Sequence, residues 1–292
     1  MSQVDNLKLL FVINPVSGNN NTAWADVISE YFAGLQHSIE LLELDENCES
    51  NTIINKIDSF KPDKVIAVGG DGTIKLVAEC LLQKNIPLGI LPAGSANGLA
   101  KELGISDVPA EALTTLLEGE IKKIHLIKVN DHLCIHLSDI GFNAYVIKKF
   151  EVQQGRGMWG YLRAAVKVLF DNPIMDVEIF MDNKFTKMKA AMIVIANGTR
   201  YGSGALINPV GTLDDELFEI VVVKKISLPE IFKMTVSHSA YHPEKTVVFQ
   251  SDNIRIKSSR KVHFQVDGEY LGKVNVVNAI IVKDAMEIIL PH

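Results

Sequence analysis

The sequence predicts an α/β protein of two domains: a doubly wound parallel sheet at residues 1–120, followed by a mostly antiparallel β sandwich or barrel at residues 121–283. Three observations lead to this prediction. The chain has 292 residues, more than one hydrophobic core usually supports. In its first part apolar strands alternate with amphipathic helices, as in parallel sheets that are covered on both faces. In its second part short alternating runs are separated by turn signals, as in antiparallel sheets.

The first part contains four apolar runs of strand length, each followed by helical spacing. Thr22 is the expected N-cap of the first helix. Because the carboxyl ends of parallel strands meet at one edge of a sheet, the loops after the first, third and fourth strands should crowd together. The predicted strands are 7–13, 39–44, 65–68 and 87–91, and the predicted helices are 22–35, 52–60, 74–82, 99–103 and 111–117.

A glycine loop joins the third strand to its helix and has the sequence Gly69-Gly70-Asp71-Gly72-Thr73. Its glycines allow a ligand to approach the backbone, and the N-H groups at the start of the helix can bind an anion. An Asp in the loop would repel a bare phosphate, but it suits phosphates that carry a divalent metal ion. The alternative is an ordinary tight turn, since Asp and Gly are common turn residues.

The second part is expected to contain short strands and two helical inserts, at 161–170 and 229–237. Asp182-Asn183-Lys184 has the composition of a hairpin tip. The other predicted strands are 124–129, 133–137, 176–181, 191–196, 217–223, 246–249, 254–257, 261–266, 276–282 and 286–290.

The composition limits which kinds of molecule the protein is expected to bind and where it is expected to act. Apolar residues make up 47% of the chain, and its net charge of -6 argues against a broad nucleic-acid-binding surface. Cys48, Cys80 and Cys134 lack metal-ligand spacing and are typical of reduced thiols. No apolar run reaches 18 residues. We therefore expect a soluble, cytoplasmic protein that contacts a membrane at most peripherally, on its inner face.

Five short motifs occur in an order that resembles the diacylglycerol kinase-like lipid kinases, the family that includes bacterial diacylglycerol kinases and the sphingosine and ceramide kinases. The resemblance covers nearly the whole chain. The motifs are Asn14-Pro15-Val16-Ser17-Gly18, Gly69 to Thr73, Leu91 to Asn97, Leu213-Asp214-Asp215-Glu216-Leu217 and Val266-Asp267-Gly268-Glu269.

The resemblance implies that the first domain binds a nucleotide, ATP, together with Mg²⁺. It also implies that the final strand, at about 284–292, returns to this domain. Asp71 would hold the metal ion. The residues implied to bind the nucleotide are Asn14, Pro15, Val16, Ser17, Gly18, Gly69, Gly70, Asp71, Gly72, Thr73, Ser95 and Asn97.

The same resemblance implies three catalytic residues. Glu269 would accept the proton of the substrate hydroxyl, with Asp267 beside it, and Asp71 would act through the metal ion. A second, structural Mg²⁺ site would involve Asp215 and the backbone of Thr212 and Leu217. For the Asp267 motif the alternative is a plain hairpin turn. For the motif around Asp215 it is a solvated acidic turn.

The chain departs from the family pattern at positions close to the expected phosphates and metal ions. Lys75 and Leu76 replace an Asn-Glu pair, Gly98 replaces an Asp, Glu216 replaces a Gly and His125 replaces an Asp. Lys75 is either a replacement phosphate ligand or a solvent-facing helix residue, and we expect the second, because lysine is mostly exposed. His125 is expected to be an ordinary strand residue. These changes leave the predicted fold intact but put metal binding and full activity in question.

The function implied is transfer of the γ-phosphate of ATP to the hydroxyl of a diacylglycerol-like or sphingoid lipid at a membrane surface. One alternative is an NAD kinase relative, since the Gly69 to Thr73 motif occurs there too. Another is a weakened member of the family that binds nucleotide or lipid without transfer. The oligomeric state stays open, a homodimer included.

Overall fold

The computed structural model describes residues 6–18, 22–45, 50–82, 84–152, 157–171, 174–182, 184–199, 207–208, 215–227, 229 and 243–292. The chain divides into two compact units. The first contains residues 1–124 and 284–292, and the second contains residues 125–283.

The first unit has a parallel sheet in the order β4-β3-β1-β2, and all three pairings in it are parallel. Residues 284–290, the end of the last strand, run parallel to β4, with Ile288 opposite Leu88. The elements of this unit are β1 Lys8–Ile13, α1 Trp24–Tyr31, β2 Ser38–Glu43, α2 Ser50–Phe60, β3 Lys64–Gly69, α3 Asp71–Leu81, β4 Leu88–Pro92, α4 Gly98–Glu102 and α5 Pro109–Glu118.

The apolar runs of this unit are strands because the sheet is covered on both faces. Every residue of β3 and β4 is buried, so neither strand shows the alternation of a half-exposed strand. The helices contribute the other side of the core through Ile28, Ile53 and Ile57. The carboxyl ends of β1, β3 and β4 are therefore left to carry the polar loops.

The second unit is mainly antiparallel. Its sheet runs β12-β11-β10-β7-β13-β14, while β8 joins β13 to β9, and β5 pairs with both β14 and β6. The elements are β5 Glu120–Val129, β6 His132–Cys134, β7 Leu137–Gly141, α6 Phe142–Val152, α7 Gly157–Asp171, β8 Met175–Met181, β9 Lys184–Ala190, β10 Met192–Ala196, β11 Phe218–Val223, a 3₁₀ turn Pro243–Lys245, β12 Thr246–Ser251, β13 Asn253–Val266 and β14 Glu269–Leu290.

Two hydrophobic clusters cover opposite faces of β10 and β11. Ile193 and Ile195 of β10 join the cluster packed among the strands. The alternate residues Met192 and Val194 join the cluster packed beneath α6 and α7. Because both faces are buried, every residue of these two strands is buried and all but Glu219 are apolar, although their pairing is antiparallel.

The predicted fold class is confirmed: a doubly wound parallel sheet precedes an antiparallel β sandwich. Several details differ from the prediction. The first helix begins at Trp24 after Ala23, so Thr22 is not its N-cap. The sequence did not predict α6, although Phe142, Val146 and Phe150 have helical spacing. The helical insert predicted at 229–237 lies largely outside the described residues.

Some of the observed strands have boundaries that differ from the predicted ones. The two runs at 254–257 and 261–266 form the single strand β13, with a register shift between Lys257 and Val262. The runs after 276 likewise join into β14. Among the described residues no helix is long and apolar enough to span a bilayer. Cys80 and Cys134 are buried, and Cys48 lies outside the described part of the chain.

Candidate active site

Three loops of the first unit meet at the carboxyl ends of β1, β3 and β4. Their contact depends on glycine, since a Cβ added at Gly94 would lie 2.4 Å from the Cα of Gly70. A Cβ at Gly18 would lie 2.5 Å from the carbonyl oxygen of Ala93, and Gly18 also has a φ of +70°. Any side chain at these positions would push the loops apart. The glycines of the motifs thus bring three backbones together.

Asn14 connects the first loop to the second. Its Nδ2 donates a 3.1 Å hydrogen bond to Oγ1 of Thr73, and its Oδ1 accepts one from the N-H of Val16. Thr73 is 5% exposed and packs against Gly69, where an added Cβ would meet Oγ1 at 2.3 Å. Thr73 and Asn14 therefore hold loop backbone in position.

The remaining residues of the first loop face solvent to different degrees. Val16 is 76% exposed, Pro15 and Gly18 are exposed, and Ser17 is half-buried. The predicted contact of these residues with a nucleotide stays a prediction.

Asp71 clamps the second loop to the third. It is the first residue of α3, and its two carboxylate oxygens accept 3.0 Å hydrogen bonds from the N-H groups of Gly98 and Leu99. These N-H groups belong to the first turn of α4, so the carboxylate satisfies donors that the helix cannot. A carboxylate offers about four lone-pair sites, so two hydrogen bonds leave room for a metal ion.

Asn97 stabilises the third loop from within. It has a φ of +50°, its Oδ1 accepts a 2.8 Å hydrogen bond from the N-H of Gly94, and its Nδ2 donates to Asp107. The side chain is 8% exposed and its polar atoms are used inside the unit. Ser95, two residues earlier, is exposed. Of these two residues, Ser95 is the one with a side chain that a ligand could reach.

Lys75 does not face solvent, and that expectation was wrong. Its side chain is buried on α3, with 9% of its surface exposed. The helix puts it between Ile74 and Leu76 on a turn whose other members pack against the sheet. A lysine can bury its methylene stem and still bring its ammonium group to a polar site. The departure from the family pattern at this position is therefore part of the packed helix.

In the second unit the Asp267 motif forms the turn between β13 and β14. Asp267 and Gly268 have φ values of +49° and +86°, which explains the Asp-Gly pair. The Asp267 carboxylate also accepts hydrogen bonds of 2.9 to 3.1 Å from three successive N-H groups, those of Ile135, His136 and Leu137. The turn is thus a hairpin turn fastened to the chain before β7.

This attachment explains why the predicted strand at 133–137 is split into β6 and β7. The N-H groups of 135–137 bind a carboxylate, so the chain leaves the ladder between Cys134 and Leu137. The backbone of Asp267 also fixes the turn, because its N-H donates a 2.9 Å hydrogen bond to the carbonyl oxygen of Leu137. The structure gives Asp267 an anchoring role, and its catalytic role stays a prediction.

A buried polar network lies behind this turn, and the sequence had not singled it out. Asp139, 1% exposed, accepts hydrogen bonds from Gln265 Nε2 at 2.6 Å, from Asn143 Nδ2 at 2.5 Å and from the N-H of Ala144. Gln265 Oε1 in turn accepts a 2.7 Å hydrogen bond from the N-H of Gly268. Gln265 therefore connects a buried carboxylate to the turn that carries the candidate base.

Tyr161 of α7 extends the network by donating a 2.5 Å hydrogen bond to Asn143 Oδ1. Burial and then the negative charge of Asp139 raise the pKa of Tyr161. The hydroxyl stays protonated and remains a donor.

Glu269 is the exposed member of the motif. It is the first residue of β14 and lies opposite Val266. Its backbone is held by the ladder and by the turn, while its carboxyl group can reach solvent. The role of Glu269 as the base stays a prediction, since a base must come within hydrogen-bond reach of the proton it removes.

The predicted second metal site is only partly described. Thr212 lies outside the described residues. Asp215 Oδ1 accepts a 3.2 Å hydrogen bond from the N-H of Leu217, and Glu216 forms an ion pair with Lys283. Leu217 is 39% exposed and His125 is a buried residue of β5. The turn is therefore at least a solvated acidic turn, and its metal ligands stay a prediction.

His263 lies beside the candidate base turn and is sensitive to pH. Its ring stacks on Tyr145 at 4.2 Å, and its Nδ1 is 2.9 Å from the hydroxyl of Tyr270. Burial and then the positive charges of Lys273, Lys148 and Lys149 lower the pKa of His263 to about 4. The ring is neutral at neutral pH.

The described residues contain no group of three His, Cys, Asp or Glu side chains that could bind a metal ion by themselves. An ion at Asp71 would need phosphate oxygens and water to complete its ligands, as Mg²⁺ commonly does in phosphoryl-transfer sites. The glycine contacts and the spare lone pairs of Asp71 fit such an arrangement.

Two family models match this chain in succession. Residues 8–129 match the diacylglycerol kinase catalytic domain, and residues 139–290 match the YegS C-terminal NAD kinase beta sandwich-like domain. The second match alone covers more than half of the chain. The chain belongs to the diacylglycerol kinase-like lipid kinase family.

This lipid kinase family member has low sequence identity to the relatives that follow. It is 26% identical to a diacylglycerol kinase of Bacillus subtilis over 221 residues, 72% of either chain. It is 27% identical to an uncharacterized protein of Synechocystis over 298 residues, 91% of this chain and 66% of that protein's length. A crystal structure described as a diacylglycerol kinase of Bacillus anthracis superposes with a TM-score of 0.72 at 20% identity, over 98% of this chain and 97% of the other, which shows the shared fold.

The first prediction concerns the Asp71 clamp. Asp71→Ala should lower the free energy of unfolding by about 2 kcal/mol, because two hydrogen bonds to a charged acceptor are lost and two helix N-H groups lose their partner. Asp71→Asn, which keeps one acceptor oxygen, should cost about half as much. Urea unfolding measures both. Asp26→Ala is the matched control, an exposed acid in the first turn of α1. An equal loss in the control would contradict the clamp.

The second prediction concerns the link behind the turn. Gln265→Leu should cost about 2–4 kcal/mol of unfolding free energy, because Asp139 loses a buried donor and Gly268 loses its acceptor. Gln250→Leu is the control, since Gln250 donates one hydrogen bond to Glu219 from an exposed position. Thermal and urea unfolding should separate the two variants. Similar costs would mean that the network adds nothing beyond one ordinary hydrogen bond.

The third prediction is a pH dependence. In the unfolded chain His263 binds a proton near its ordinary pKa of 6.5, while in the folded protein the pKa is about 4. The unfolded state therefore binds more protons between these values, and the stability present above pH 6.5 is lost as the pH falls to 4. Allowing for solvent screening, the loss should be about 1–2 kcal/mol. The variant His263→Phe keeps a ring on Tyr145 but cannot be protonated. The unfolding free energy of wild type minus that of the variant should therefore be larger at pH 7 than at pH 4.5, by about 1–2 kcal/mol. A constant difference at the two pH values would refute the assignment.

Proposed function

We propose that this protein transfers the γ-phosphate of ATP to the hydroxyl of a diacylglycerol-like or sphingoid lipid. The observation that carries the proposal is the meeting of three glycine loops around Asp71 in a chain of the lipid kinase family. Glycines at Gly18, Gly70 and Gly94 leave backbone where side chains would otherwise stand. Backbone N-H groups at the start of a helix favour phosphate oxygens.

In this proposal the first unit binds and orients the triphosphate. The loops are fixed by Asn14, Asp71 and Asn97 before any ligand arrives, so little ordering is needed on binding. Asp71 would hold Mg²⁺ through its remaining lone pairs. A bound Mg²⁺ would neutralise charge on the phosphate oxygens. Phosphoryl transfer depends mainly on such positioning and charge neutralisation.

Glu269 is the proton acceptor. The acceptor hydroxyl oxygen forms a bond to the γ-phosphorus, its proton passes to the Glu269 carboxylate, and the bond from phosphorus to the bridging oxygen breaks to leave ADP. Asp267 and Gln265 position Glu269 by fixing the turn on which it lies. The Asp267 carboxylate serves the backbone in this scheme and does not itself take the proton.

The acceptor is a lipid alcohol by family membership, and the relatives named as diacylglycerol kinases favour a diacylglycerol. We place the protein in the cytoplasm, in peripheral contact with the inner membrane face. A second candidate is a family member that binds nucleotide or lipid without transfer. It is favoured by the engagement of both Asp71 oxygens with backbone N-H groups.

The fourth prediction tests the activity. Purified protein is given labelled ATP and Mg²⁺ with diacylglycerol, sphingosine, ceramide, monoacylglycerol or NAD in detergent micelles. We expect transfer to a lipid alcohol and a fall in kcat of about 10²- to 10⁴-fold in Glu269→Gln, the range for loss of a general base. Glu30→Gln, an exposed glutamate on α1, is the control and should match wild type.

Three outcomes separate the candidates. Transfer to a lipid with a Glu269-dependent kcat supports the kinase. Transfer to NAD alone would overturn it in favour of the NAD kinase alternative. ATP binding without transfer to any acceptor, and with no difference between wild type and Glu269→Gln, would establish the binding protein instead.

A further inference from the structure

The β8–β9 hairpin and β13 share an outward face that the function above does not use. On β8 it consists of Asp176, Glu178 and Phe180. The residues paired with these three on the neighbouring strands β9 and β13 point to the same side of the sheet, and we name the whole set the hairpin face. Its further members are Lys189, Lys187 and Phe185 on β9, and Lys257 and Arg255 on β13.

Two aromatic side chains at one end of the hairpin face lie open to solvent. Phe185 is 57% exposed and Phe180 is 38% exposed. Their rings stack at 5.8 Å with an interplanar angle of 22°, and Nζ of Lys187 lies 5.7 Å from the centre of the Phe185 ring. Large exposed aromatic pairs are uncommon on soluble surfaces and usually mark an interaction site.

The charge of the hairpin face is opposite to that of the whole chain. It has four cationic side chains and two carboxylates, while the chain has a net charge of -6. One of the carboxylates, Glu178, is paired with Lys187 at 2.8 Å. Lys184 and Asp182 at the hairpin tip offset each other. A locally positive surface on an acidic protein favours an anionic partner.

Protection of a sheet edge explains only part of this pattern. Among the strands that the structure describes, β9 pairs with β8 alone, and lysines on such an edge strand prevent pairing with other chains. Arg255 and Lys257, however, lie on β13, which has neighbours on both sides. Edge protection also gives no reason for two exposed phenylalanines, which increase the tendency to associate.

Two grooves open beside the hairpin face. One, of about 860 Å³, is lined in part by Lys187, Lys189 and Lys257. The other, of about 570 Å³, is lined in part by the two phenylalanines and Arg255. Carboxylates also line both grooves, Asp176 and Glu178 the first and Asp182 and Asp252 the second. The lysines of one groove suit the anionic headgroups of a bilayer, and the phenylalanines of the other suit the adjoining acyl chains.

We propose that the hairpin face docks on a bilayer of anionic lipids, with Phe180 and Phe185 entering the interface and the four cations meeting headgroup phosphates. The inference rests on the proposed function in one respect, since a kinase of membrane lipids must reach a bilayer. It adds which surface of the second unit makes that contact. The docking requires neither nucleotide nor turnover.

The fifth prediction is therefore tested without ATP. The full chain is mixed with vesicles of phosphatidylglycerol and phosphatidylcholine, or of phosphatidylcholine alone, and bound protein is measured by sedimentation at low and high salt. We expect binding to the anionic vesicles that weakens with salt. The double variant Phe180→Ser/Phe185→Ser should bind about tenfold more weakly, because apolar area no longer enters the membrane. Lys257→Glu should reduce binding to anionic vesicles by about tenfold.

Matched controls come from the same unit. Val248→Ser removes an apolar side chain of similar exposure, 44%, on β12, and Lys224→Glu makes the same charge change at another exposed site. Both should bind as wild type does. All variants change exposed residues, so their circular dichroism and thermal midpoints should stay within a few degrees of wild type.

Equal binding to neutral and anionic vesicles, or undiminished binding by the double variant and Lys257→Glu, would overturn the proposal. If the wild type instead sediments as a dimer that the double variant converts to a monomer, with vesicle binding unchanged, the hairpin face is a contact between two copies of the chain. Because the vesicle experiment contains no nucleotide, a protein that docks but fails the transfer assay would refute the proposed function while leaving the docking surface intact.

Discussion

The close approach of Gly70 and Gly94 is the constraint on which the first unit's site depends. A Cβ added at Gly94 would lie 2.4 Å from the Cα of Gly70, so the second and third loops can approach this closely only with glycine at Gly94. Asp71 then fastens the same two loops by accepting two N-H groups from α4. Close packing and a charged hydrogen-bond acceptor together preorganise backbone that would otherwise be mobile, which is the physical requirement for binding a highly charged phosphate chain.

The second unit achieves a similar result with carboxylates instead of glycines. Asp267 gathers three N-H groups, and Asp139 holds Gln265, which in turn holds the N-H of Gly268. Both acids bind backbone or side-chain donors within the unit, while Glu269, the proposed proton acceptor, lies at an exposed position. A buried carboxylate is costly unless its hydrogen bonds are satisfied, and here they are satisfied by groups that must be held still. Asp267 and Asp139 therefore both serve to hold the turn on which Glu269 lies.

Much of the fold followed from hydrophobic spacing. The strands of the first unit were predicted within one or two residues, because runs such as Val65 to Val68 are too apolar for anything but a buried strand. The missed helix α6 follows β7 directly after Gly141, with no capping residue to announce it. The break between β6 and β7 could not be predicted, since it is caused by Asp267, 130 residues later. Neighbouring residues carry no signal of such a distant partner.

The sequence by itself determined the fold class, the order of the motifs and the family, because apolar periodicity and turn chemistry are local properties. Tertiary structure alone decided what the motif side chains do. It turned Asp71 toward another loop and Asn97 back onto its own, buried Lys75 in its helix, and assembled Asp139 and Gln265 into a network that no local pattern predicts. The reason is that a hydrogen bond between residues far apart in the chain depends on how the sheet brings them together, and a linear pattern does not contain that distance.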